Sequence, residues 1–378
     1  MDFVINTALA TGPGWSRLRK GWKVAKRLGY RFGGSLHVMH DEAFWINFYQ
    51  FRLMEAIVQD ILEICPRAWY VMVANPVLAG TTLLTRKYPQ ARIVGMCYGS
   101  SFISYVADRL GLERDRIEYE IPGVNHFVWL TRFMYKGRDA YPILREWVEK
   151  KSAAYSRKCL ICDWMGPKAV DLYKRLGVFP IGDTANPGGG TWGYWYHKDW
   201  MTELRWKESP AIWFAVYFWY VRHNAARVAR IADNLSVKVT EACRKRLADE
   251  LAQEPMVPLI ESFACDVERT VIVNVANSGG FVAGVPRDFA VEIPVTVNGR
   301  GIFGRKTTKL PDAVIRFLQR DRIVPVELEL KAYQTCSRDY LRDLVLTDPW
   351  TRSGRQAERL IKGILDLPSH EQMRKHYR

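Results

Sequence analysis

The chain has 378 residues, which is long enough for two domains with a sizeable core. Its formal net charge is +15, and 25% of its residues are charged and 48% hydrophobic. No apolar run reaches the ~18 residues of a membrane span, and we recognise no signal peptide, so we expect no membrane partner. Seven cysteines, an odd number, argue against a disulfide framework and indicate a reducing cytoplasm. The positive charge favours anionic ligands, but no nucleic-acid-binding motif accompanies it, so we expect no nucleic-acid partner.

Strands and helices alternate along the first third of the chain. Strand–helix–strand alternation indicates a parallel sheet with right-handed crossovers. The predicted strands are Met1–Ala8, Ala68–Ala74, Ala91–Met96 and Arg116–Ile121. The predicted helices are Asp41–Ile64, Val77–Lys87 and Ser101–Leu110, and the basic segment Trp15–Gly34 is interpreted as a surface excursion over the crevice.

The rest of the chain mixes strands, helices and one long loop. Gly182–His197 is rich in glycine and aromatic residues, which favours a loop that is flexible or shaped around a flat ligand such as a sugar. Ala211–Val221 is predicted to be a buried or subunit-contact helix. The predicted strands are Phe127–Met134, Thr270–Asn277, Phe289–Val297 and Val324–Leu330, and the predicted helical segments are Tyr141–Lys151, Pro167–Leu176, Trp206–Glu250 and Ser337–Pro368.

Polar side chains follow three of the predicted strands. Asn75 comes after Ala68–Ala74, Cys97 after Ala91–Met96, and His126 in the loop after Arg116–Ile121. Strands of a parallel sheet end at one edge, where open α/β sheets bind ligands. We therefore expect these three side chains to meet in one crevice.

Each of these residues can be interpreted in two ways. Cys97 and His126 could share a divalent ion, or they could be a buried structural cysteine and a satisfied loop histidine. Asn75 precedes a proline, which suits either a contact with a cofactor ribose or substrate hydroxyl or the start of a helix. The residues alone leave both interpretations open.

Further candidates lie in the middle of the chain. Asp183 places a carboxylate in the aromatic loop, either as a general base or as part of an Asx-turn. Cys159 and Cys162 have redox or zinc spacing, but no second Cys or His pair lies nearby in the sequence. His197 could reach the same crevice, although a lone histidine among aromatic residues is usually structural.

Taken together, these motifs resemble one family, the NAD- and metal-dependent family 4 glycoside hydrolases. The similarity runs from Asp2 to Pro368 and is greatest to members described as α-glucosidases and α-galacturonidases, without the phosphate-binding signature of the 6-phosphoglycosidases. The motifs that carry it are Asn75-Pro76-Val77, Cys97-x-Gly-Ser, Gly123-Val124-Asn125-His126-Phe127-x-Trp129-Leu130, Pro180-Ile181-Gly182-Asp183-Thr184, Val271–Asn277 with Asn277-x-Gly, Val291–Val295 and Asp348-Pro349.

The resemblance implies a role for each residue of the set. Cys97 and His126 match Mn²⁺ ligands, and Asp183 matches a carboxylate that acts as a base near sugar C2. Asn75 and Asn125 match residues that contact the substrate near the metal. The positions expected to bind NAD are Asn6, Thr7 and Asn75.

The resemblance also implies the reaction, which departs from the two-carboxylate glycosidase pattern. NAD⁺ takes a hydride from sugar C3, the metal polarises the C2 and C3 oxygens, and a base removes the C2 proton before the glycosidic oxygen leaves C1. Water then adds, and the hydride returns. A metal-bound thiol is held deprotonated, which fits a cysteine ligand.

Two departures from the family pattern stand out. Members normally begin with a strand, a Gly-x-Gly-Ser loop and two further strands, whereas Asp2–Thr7 looks like a later strand, so we expect poor NAD binding and an exposed apolar edge. A truncated gene model, a natural fragment and a degenerate copy all fit this beginning. The residue after the metal cysteine is Tyr98, where relatives carry His, Asn or Asp; a phenol is a poorer acid–base group than imidazole near neutral pH.

The predicted fold is α/β: a truncated Rossmann-like parallel sheet over residues 1–120, then an α+β domain of lactate/malate dehydrogenase-like type over 121–378 that binds substrate and metal and forms oligomers. The predicted function is hydrolysis of α-glucosides or α-galacturonides with NAD and Mn²⁺ or another divalent cation, by a homodimer or homotetramer. One alternative is a non-catalytic member that has lost NAD binding. Another is a dehydrogenase for 2-hydroxy acids. That activity would need an Arg, His and Asp constellation, and the sequence shows no clear aspartate partner for His126.

Overall fold

The computed structural model describes residues 3–12, 15–31, 43–189, 192–233 and 255–378. Parts of five sequence predictions lie outside these ranges. They are the first two residues of the first strand, residues 32–34 of the basic segment, residues 41–42 of the first helix, residues 190–191 of the aromatic loop and residues 234–250 of the basic helical segment.

The core of the molecule is a nine-stranded mixed sheet. Its strands are β1 Phe3–Asn6, β2 Trp69–Met72, β3 Arg92–Gly95, β5 Gly123–Val124, β6 Phe127–Leu130, β9 Phe179–Ile181, β10 Arg269–Ala276, β11 Ala290–Asn298 and β12 Gly301–Gly304. Their order is β1-β2-β3-β10-β11-β5-β6-β9, with β12 paired to β11. A second, three-stranded sheet contains β4 Ile117–Glu120, β7 Arg132–Tyr135 and β8 Arg138–Asp139 in the order β4-β7-β8.

The first three strands form the parallel part of the main sheet. β1 pairs with β2 and β2 with β3, both in parallel register. Helix α3 Val77–Lys87 connects β2 to β3, and its residues from Val77 to Leu84 are buried, which explains its apolar sequence. This arrangement confirms the predicted α/β class with a Rossmann-like parallel sheet.

Beyond β3 the sheet becomes antiparallel. β10 lies beside β3 with Asn274 opposite Gly95, and β11 follows with Glu292 opposite Asn274. Gly123 of β5 then lies opposite Glu292. The main sheet therefore takes strands from both sides of residue 120, and the predicted domain division there stays a prediction.

The prediction that Arg116–Ile121 continues the parallel sheet is wrong. Its strand, β4, pairs with β7 in the second sheet. Strands of a parallel sheet are covered on both faces, but Glu118 and Tyr119 are exposed, so this segment suits an antiparallel surface sheet. His126 therefore enters the main sheet through the hairpin between β5 and β6.

The predicted strand Phe127–Met134 is two strands in two sheets. β6 ends at Leu130 and β7 begins at Arg132. Thr131 lies between them and donates its N–H to the carbonyl of Glu120, 2.9 Å away. The break at this residue separates the main sheet from the second sheet.

The predicted strand Val324–Leu330 is instead the first part of a helix, Val324–Thr335. Val326, Leu330 and Tyr333 are buried, which is the spacing of one helix face. Pro325 lies in the first turn, where a proline is tolerated because its missing N–H has no helical partner. The letters Val-Pro-Val-Glu-Leu-Glu-Leu fit both periods, and tertiary packing selects the helix.

Fifteen α-helices surround the sheets in the described part of the chain. They are α1 Ser16–Arg27, α2 Phe44–Ile64, α3, α4 Ile103–Leu110, α5 Tyr141–Lys150, α6 Ser152–Lys158, α7 Pro167–Leu176, α8 Trp200–Trp206, α9 Pro210–Asp233, α10 Met256–Cys265, α11 Asp312–Leu318, α12 Val324–Thr335, α13 Arg338–Leu346, α14 Gly354–Leu365 and α15 Glu371–His376. A π-helical turn, Gln319–Ile323, joins α11 to α12.

The basic segment after β1 is not a surface excursion but a packed helix, α1. Leu18, Gly21 and Ala25 are buried along one face, while its basic side chains cover the opposite side. A Cβ atom at Gly21 would lie 2.3 Å from Nε1 of Trp45, so only glycine allows the close contact between α1 and α2.

Helix α9 contains the segment predicted as a buried or subunit-contact helix. Ile212, Val216, Trp219 and Tyr220 are exposed, so this segment is not buried within the chain. Among the described residues, no helix combines the length and the apolar character needed to cross a membrane.

The aromatic loop after β9 belongs largely to the core. Trp192 and Tyr196 are fully buried, and Trp192 donates Nε1–H to the carbonyl of Thr184 at 2.7 Å. Trp192 also packs edge-on against Phe127, with ring centroids 4.8 Å apart. These two rings hold the loop against the sheet, so they do not serve as a platform for a flat ligand.

Candidate functional site

The loop after β3 carries Cys97 to the loop after β9. Cys97 is half-buried, and Gly99 packs directly on Gly182. A Cβ atom at Gly182 would lie 2.5 Å from the carbonyl oxygen of Gly99, and Gly182 has a left-handed φ of +57°. Both the left-handed φ and the close approach require glycine at position 182. Gly99 follows Cys97 by two residues and Gly182 precedes Asp183, so this approach brings the two loops together.

His126 and Asp183 form the best-defined contact of the site. His126 lies at the β5–β6 turn with a left-handed φ of 59°, which is uncommon for a residue with a side chain. Its Nδ1 lies 2.9 Å from Oδ2 of Asp183, and both side chains are largely shielded from solvent. A carboxylate on one ring nitrogen fixes the tautomer and orients the second nitrogen.

Arg322, on the π-helical turn, supports this pair from below. Its Nη2 donates to the carbonyl oxygen of His126 at 3.3 Å and to that of Gly189. Arg322 is only 4% exposed, so these bonds replace those it would make to water. Sequence reasoning missed this residue because nothing in the local sequence marks a long-range backbone contact.

Asn125 lies beside His126 but points its amide at a buried glutamate. Asn125 Nδ2 donates to Glu292 Oε2 at 2.8 Å, and Asn274 Nδ2 donates to the same oxygen at 3.2 Å. All three side chains are buried, and burial raises the pKa of the Glu292 carboxyl. A charged residue inside the apolar run Val291–Val295 was the signal that could have identified Glu292.

The residues expected to bind NAD lie at the ends of β1 and β2. Asn6 is buried, donates Nδ2–H to the Tyr70 hydroxyl at 2.8 Å and accepts the N–H of Ala8 at 3.0 Å. Thr7 is exposed and Asn75 is half-buried. The amide of Asn6 thus holds the turn after β1, while Thr7 lies at its surface.

Asn75 does not cap the helix that follows it. Helix α3 begins at Val77, its N-cap residue is Pro76, and no side chain makes the capping bond. Asn75 therefore lies outside the capping position, in the loop after the carboxyl end of β2. Its expected contact with a cofactor ribose or a substrate hydroxyl stays a prediction.

Tyr98 opens a short 3₁₀ turn, Tyr98–Phe102, directly after Cys97. The side chain is half-buried, and its ring packs edge-on against Phe102 with centroids 5.2 Å apart. Its position next to the cysteine follows from the chain itself, and its role stays a prediction.

Cys159 and Cys162 are bonded to the segment between α8 and α9, where Lys207 Nζ donates to the Cys159 carbonyl and the Cys162 N–H donates to the Lys207 carbonyl. The Cys162 thiol donates to the carbonyl of Ser209 at 3.4 Å, and burial raises its pKa. In the ranges that the structure describes, no cluster of three or more His, Cys, Asp and Glu side chains is arranged to hold a metal ion. The redox or zinc interpretation of this spacing stays a hypothesis.

His197 belongs to a second group of buried polar side chains, together with Lys168 and Glu208. Lys168 Nζ lies 2.5 Å from Glu208 Oε1, and His197 Nδ1 lies 3.7 Å from the same oxygen. All three side chains are at most 2% exposed, and burial lowers the pKa of His197. We call these three residues the lysine cluster.

Two family models match this sequence. The model described as "Family 4 glycosyl hydrolase" matches residues 1–110, and the model "Family 4 glycosyl hydrolase C-terminal domain" matches residues 121–351. The second match alone covers more than half of the chain.

Curated proteins and solved structures agree with these matches. An α-galacturonidase of Thermoanaerobacterium saccharolyticum is 26% identical over 82% of this chain and 68% of its own length, and an α-glucosidase of Erwinia rhapontici is 23% identical over 83% and 71%. The chain therefore spans about two thirds of the length of these relatives. A 6-phospho-β-glucosidase of Thermotoga maritima, solved with manganese, NAD⁺ and glucose-6-phosphate, shares the fold with a TM-score of 0.71 at 16% identity, covering 100% of this chain and 82% of that one. The chain belongs to the family 4 glycosyl hydrolases.

Proposed function

We propose that the protein hydrolyses O-glycosidic bonds of α-galacturonides or α-glucosides by NAD- and metal-dependent chemistry. The observation that carries the proposal is the His126–Asp183 contact of 2.9 Å beside the Cys97–Gly99 loop. It joins two of the proposed site residues, and the close approach of Gly99 to Gly182 brings the loop that carries Cys97 against the loop that carries Asp183. The names of the two curated relatives support the substrate class.

Cys97 and His126 are the residues that would hold the metal. A thiolate and an imidazole suit a divalent transition metal, and the Asp183 carboxylate on Nδ1 is the outer partner that metal-bound histidines usually have. Because the described residues supply no cluster of three acidic, cysteine or histidine ligands, further coordination would come from sugar oxygens and water. When bound, the metal supplies Lewis-acid polarisation of those oxygens.

Thr7 and Asn75 are the residues that we propose to contact NAD. They lie at the carboxyl ends of adjacent parallel strands, where open α/β sheets bind nucleotides. Asn6 contributes through the turn, since its amide is bonded to Tyr70 and Ala8. When bound, NAD⁺ supplies a hydride acceptor for sugar C3.

Asp183 is the proposed base for the C2 proton. One of its oxygens is bonded to His126 Nδ1, so the carboxylate orients the histidine and is itself held in place. Asn75 and Asn125 orient sugar hydroxyls. Tyr98 is the proposed assistant of the leaving group, because it follows Cys97 directly.

The remaining expectations concern assembly and location. We propose a homodimer or homotetramer, since Ile212, Val216, Trp219 and Tyr220 leave apolar surface exposed on α9. The six cysteines described in the structure are all free, which supports a cytoplasmic protein. A small carbohydrate is the proposed ligand.

The test is turnover of an aryl α-galacturonide and an aryl α-glucoside with NAD⁺, Mn²⁺ and a thiol reductant. We expect turnover to require both NAD⁺ and metal, and the C2 hydrogen to exchange with solvent deuterium. The matched controls are the same protein with chelator and the His126→Gln variant. Turnover that ignores NAD⁺ and chelator would refute the mechanism, and a folded protein without turnover would favour a non-catalytic family member.

A further inference from the structure

The buried carboxylate of Glu292 lies directly beneath Asn125. We propose that Glu292 is a positioning residue that fixes the Asn125 amide so that only its carbonyl oxygen is left for the substrate. The site then recognises, through Asn125, a sugar hydroxyl that donates a hydrogen bond. This inference rests on the proposed function, because it concerns the substrate of the same site.

Strand pairing brings the participating side chains together. Glu292 on β11 lies opposite Asn274 on β10 and opposite Gly123 on β5. Directly paired residues present their side chains to the same face of a sheet, and Asn125 follows Gly123 by two residues. Gly95 on β3, opposite Asn274, has no side chain to fill this space. The register alone therefore creates a polar cluster beneath the β5–β6 turn.

The hydrogen bonds set the direction of both amides. Glu292 Oε2 accepts hydrogen bonds from Nδ2 of Asn125 at 2.8 Å and from Nδ2 of Asn274 at 3.2 Å. Because the same carboxyl oxygen accepts from both residues, each amide turns its NH₂ group towards Glu292. The carbonyl oxygen of Asn125 is thereby committed to the opposite side.

That carbonyl oxygen still needs a donor. Asn125 Oδ1 is buried and has no hydrogen-bond partner among the described residues, and the residue is 1% exposed. A buried acceptor without a donor is unfavourable, so a ligand that supplies an N–H or O–H at this point gains affinity. A carboxylate or a phosphate dianion offers acceptors only and would not satisfy it.

The proposal therefore concerns specificity. A site built to bond a substrate hydroxyl discriminates strongly against an analogue that lacks it, because the buried acceptor is then left unpaired. If Glu292 did not hold the amide, Asn125 could rotate and present its NH₂ group. The discrimination would then disappear, although the fold would not need to change.

The experiment measures binding rather than turnover. The Mn²⁺-loaded protein is titrated calorimetrically with methyl α-galacturonide, methyl α-glucoside and their monodeoxy analogues. For the better-bound parent sugar, we expect one monodeoxy analogue to bind about five- to 150-fold more weakly to the wild type, the range that one to three kcal/mol per unpaired polar group gives. We expect Glu292→Met to bind that analogue and its parent about equally.

Three further variants separate positioning from a merely structural role. Glu292→Gln keeps an oxygen for both amide donors and should retain the discrimination. Asn274→Leu removes a buried partner from the same carboxylate but leaves the bond from Asn125. This variant should therefore also retain the discrimination. If Glu292→Met fails to fold, Asn125→Ala decides the question, because it removes the acceptor itself and should lose discrimination at the same hydroxyl.

Several outcomes would overturn the inference. These are no binding of either parent sugar, equal affinity of the wild type for every analogue, discrimination by Asn125→Ala equal to that of the wild type, and loss of discrimination in Asn274→Leu as large as in Glu292→Met. Binding with the expected pattern but without turnover would refute the proposed function and leave the inference standing. Turnover without the pattern would do the reverse.

Discussion

Two glutamates of this protein are equally buried but differently surrounded. Glu208 and Glu292 are each 1% exposed. Glu208 lies 2.5 Å from the ammonium group of Lys168, whereas Glu292 receives hydrogen bonds from the amides of Asn125 and Asn274. A buried carboxylate with its own counterion is a structural ion pair. One held by amides next to the proposed metal ligand is, in our proposal, a residue that positions a substrate contact.

The comparison shows that the two sites should respond differently when a buried charge loses its partner. In the lysine cluster, removal of either charge leaves its partner in a medium that solvates it poorly. At Glu292, burial raises the pKa of the carboxyl, so protonation offers the protein another way to remove the charge. Stability and activity measurements should therefore separate the two regions.

The largest expected effect on activity comes from Asp183→Asn. The amide keeps the shape of the side chain but cannot take a proton, so we expect kcat/KM to fall about 10²–10⁴-fold in the aryl glycoside assay. The free energy of unfolding should change by less than about 1 kcal/mol, because the side chain is partly accessible. Loss of fold without a specific loss of kcat/KM would contradict the assignment.

The largest expected effect on stability comes from Glu208→Gln. This substitution leaves the Lys168 ammonium buried without a counterion, which should lower the free energy of unfolding by about 3–5 kcal/mol. Guanidinium denaturation measures it. The double variant Lys168→Met with Glu208→Leu should recover most of the loss, and failure to do so would show that the pair contributes more than its charge balance.

The same substitution at Glu292 should be much milder. Glu292→Gln keeps an oxygen for the Asn125 and Asn274 amides and leaves no buried cation without its counterion, so we expect a change below about 1 kcal/mol in the same denaturation experiment. Equal losses at Glu208 and Glu292 would remove the distinction between the two regions.

The smallest effect is a pH dependence in the lysine cluster. Burial lowers the pKa of His197 below its ordinary value of 6.5, so the unfolded state takes up the proton first as the pH falls. The contribution of His197 to stability is thus complete above pH 6.5 and is lost as the pH falls below it. The stability difference between wild type and His197→Gln should shrink between about pH 8 and about pH 5. A stability difference that stays constant over this pH range would contradict the role of His197 burial.

The sequence predicts the elements that carry their own periodic signal. Val77–Lys87 forms the helix expected from its apolar pattern, and Thr270–Asn277 and Phe289–Val297 are strands within one residue at each end. Asn75 and Cys97 lie directly after parallel strands as expected. For His126 the premise of a third parallel strand was wrong, because Arg116–Ile121 belongs to the second sheet.

What the sequence could not reveal are interactions between distant segments. The sequence of Val324–Leu330 fits a strand and a helix equally well. Only the packing of Val326 and Leu330 in the core decides for the helix. Glu292 stands out as a charge inside an apolar strand, but only the register with β5 and β10 shows that it lies beside Asn125. The lysine cluster joins Lys168 of α7 to Glu208, which follows α8 and lies 40 residues later in the chain.

Arg322 has a consequence for the order in which the molecule folds. Its bonds to the carbonyl groups of His126 and Gly189 close sequence separations of 196 and 133 residues. Contacts between residues so far apart form slowly, because the intervening chain must first lose much of its freedom. We expect amide protons around His126 to gain protection late in refolding, after those of the parallel strands β1 to β3, which pulsed hydrogen exchange would measure.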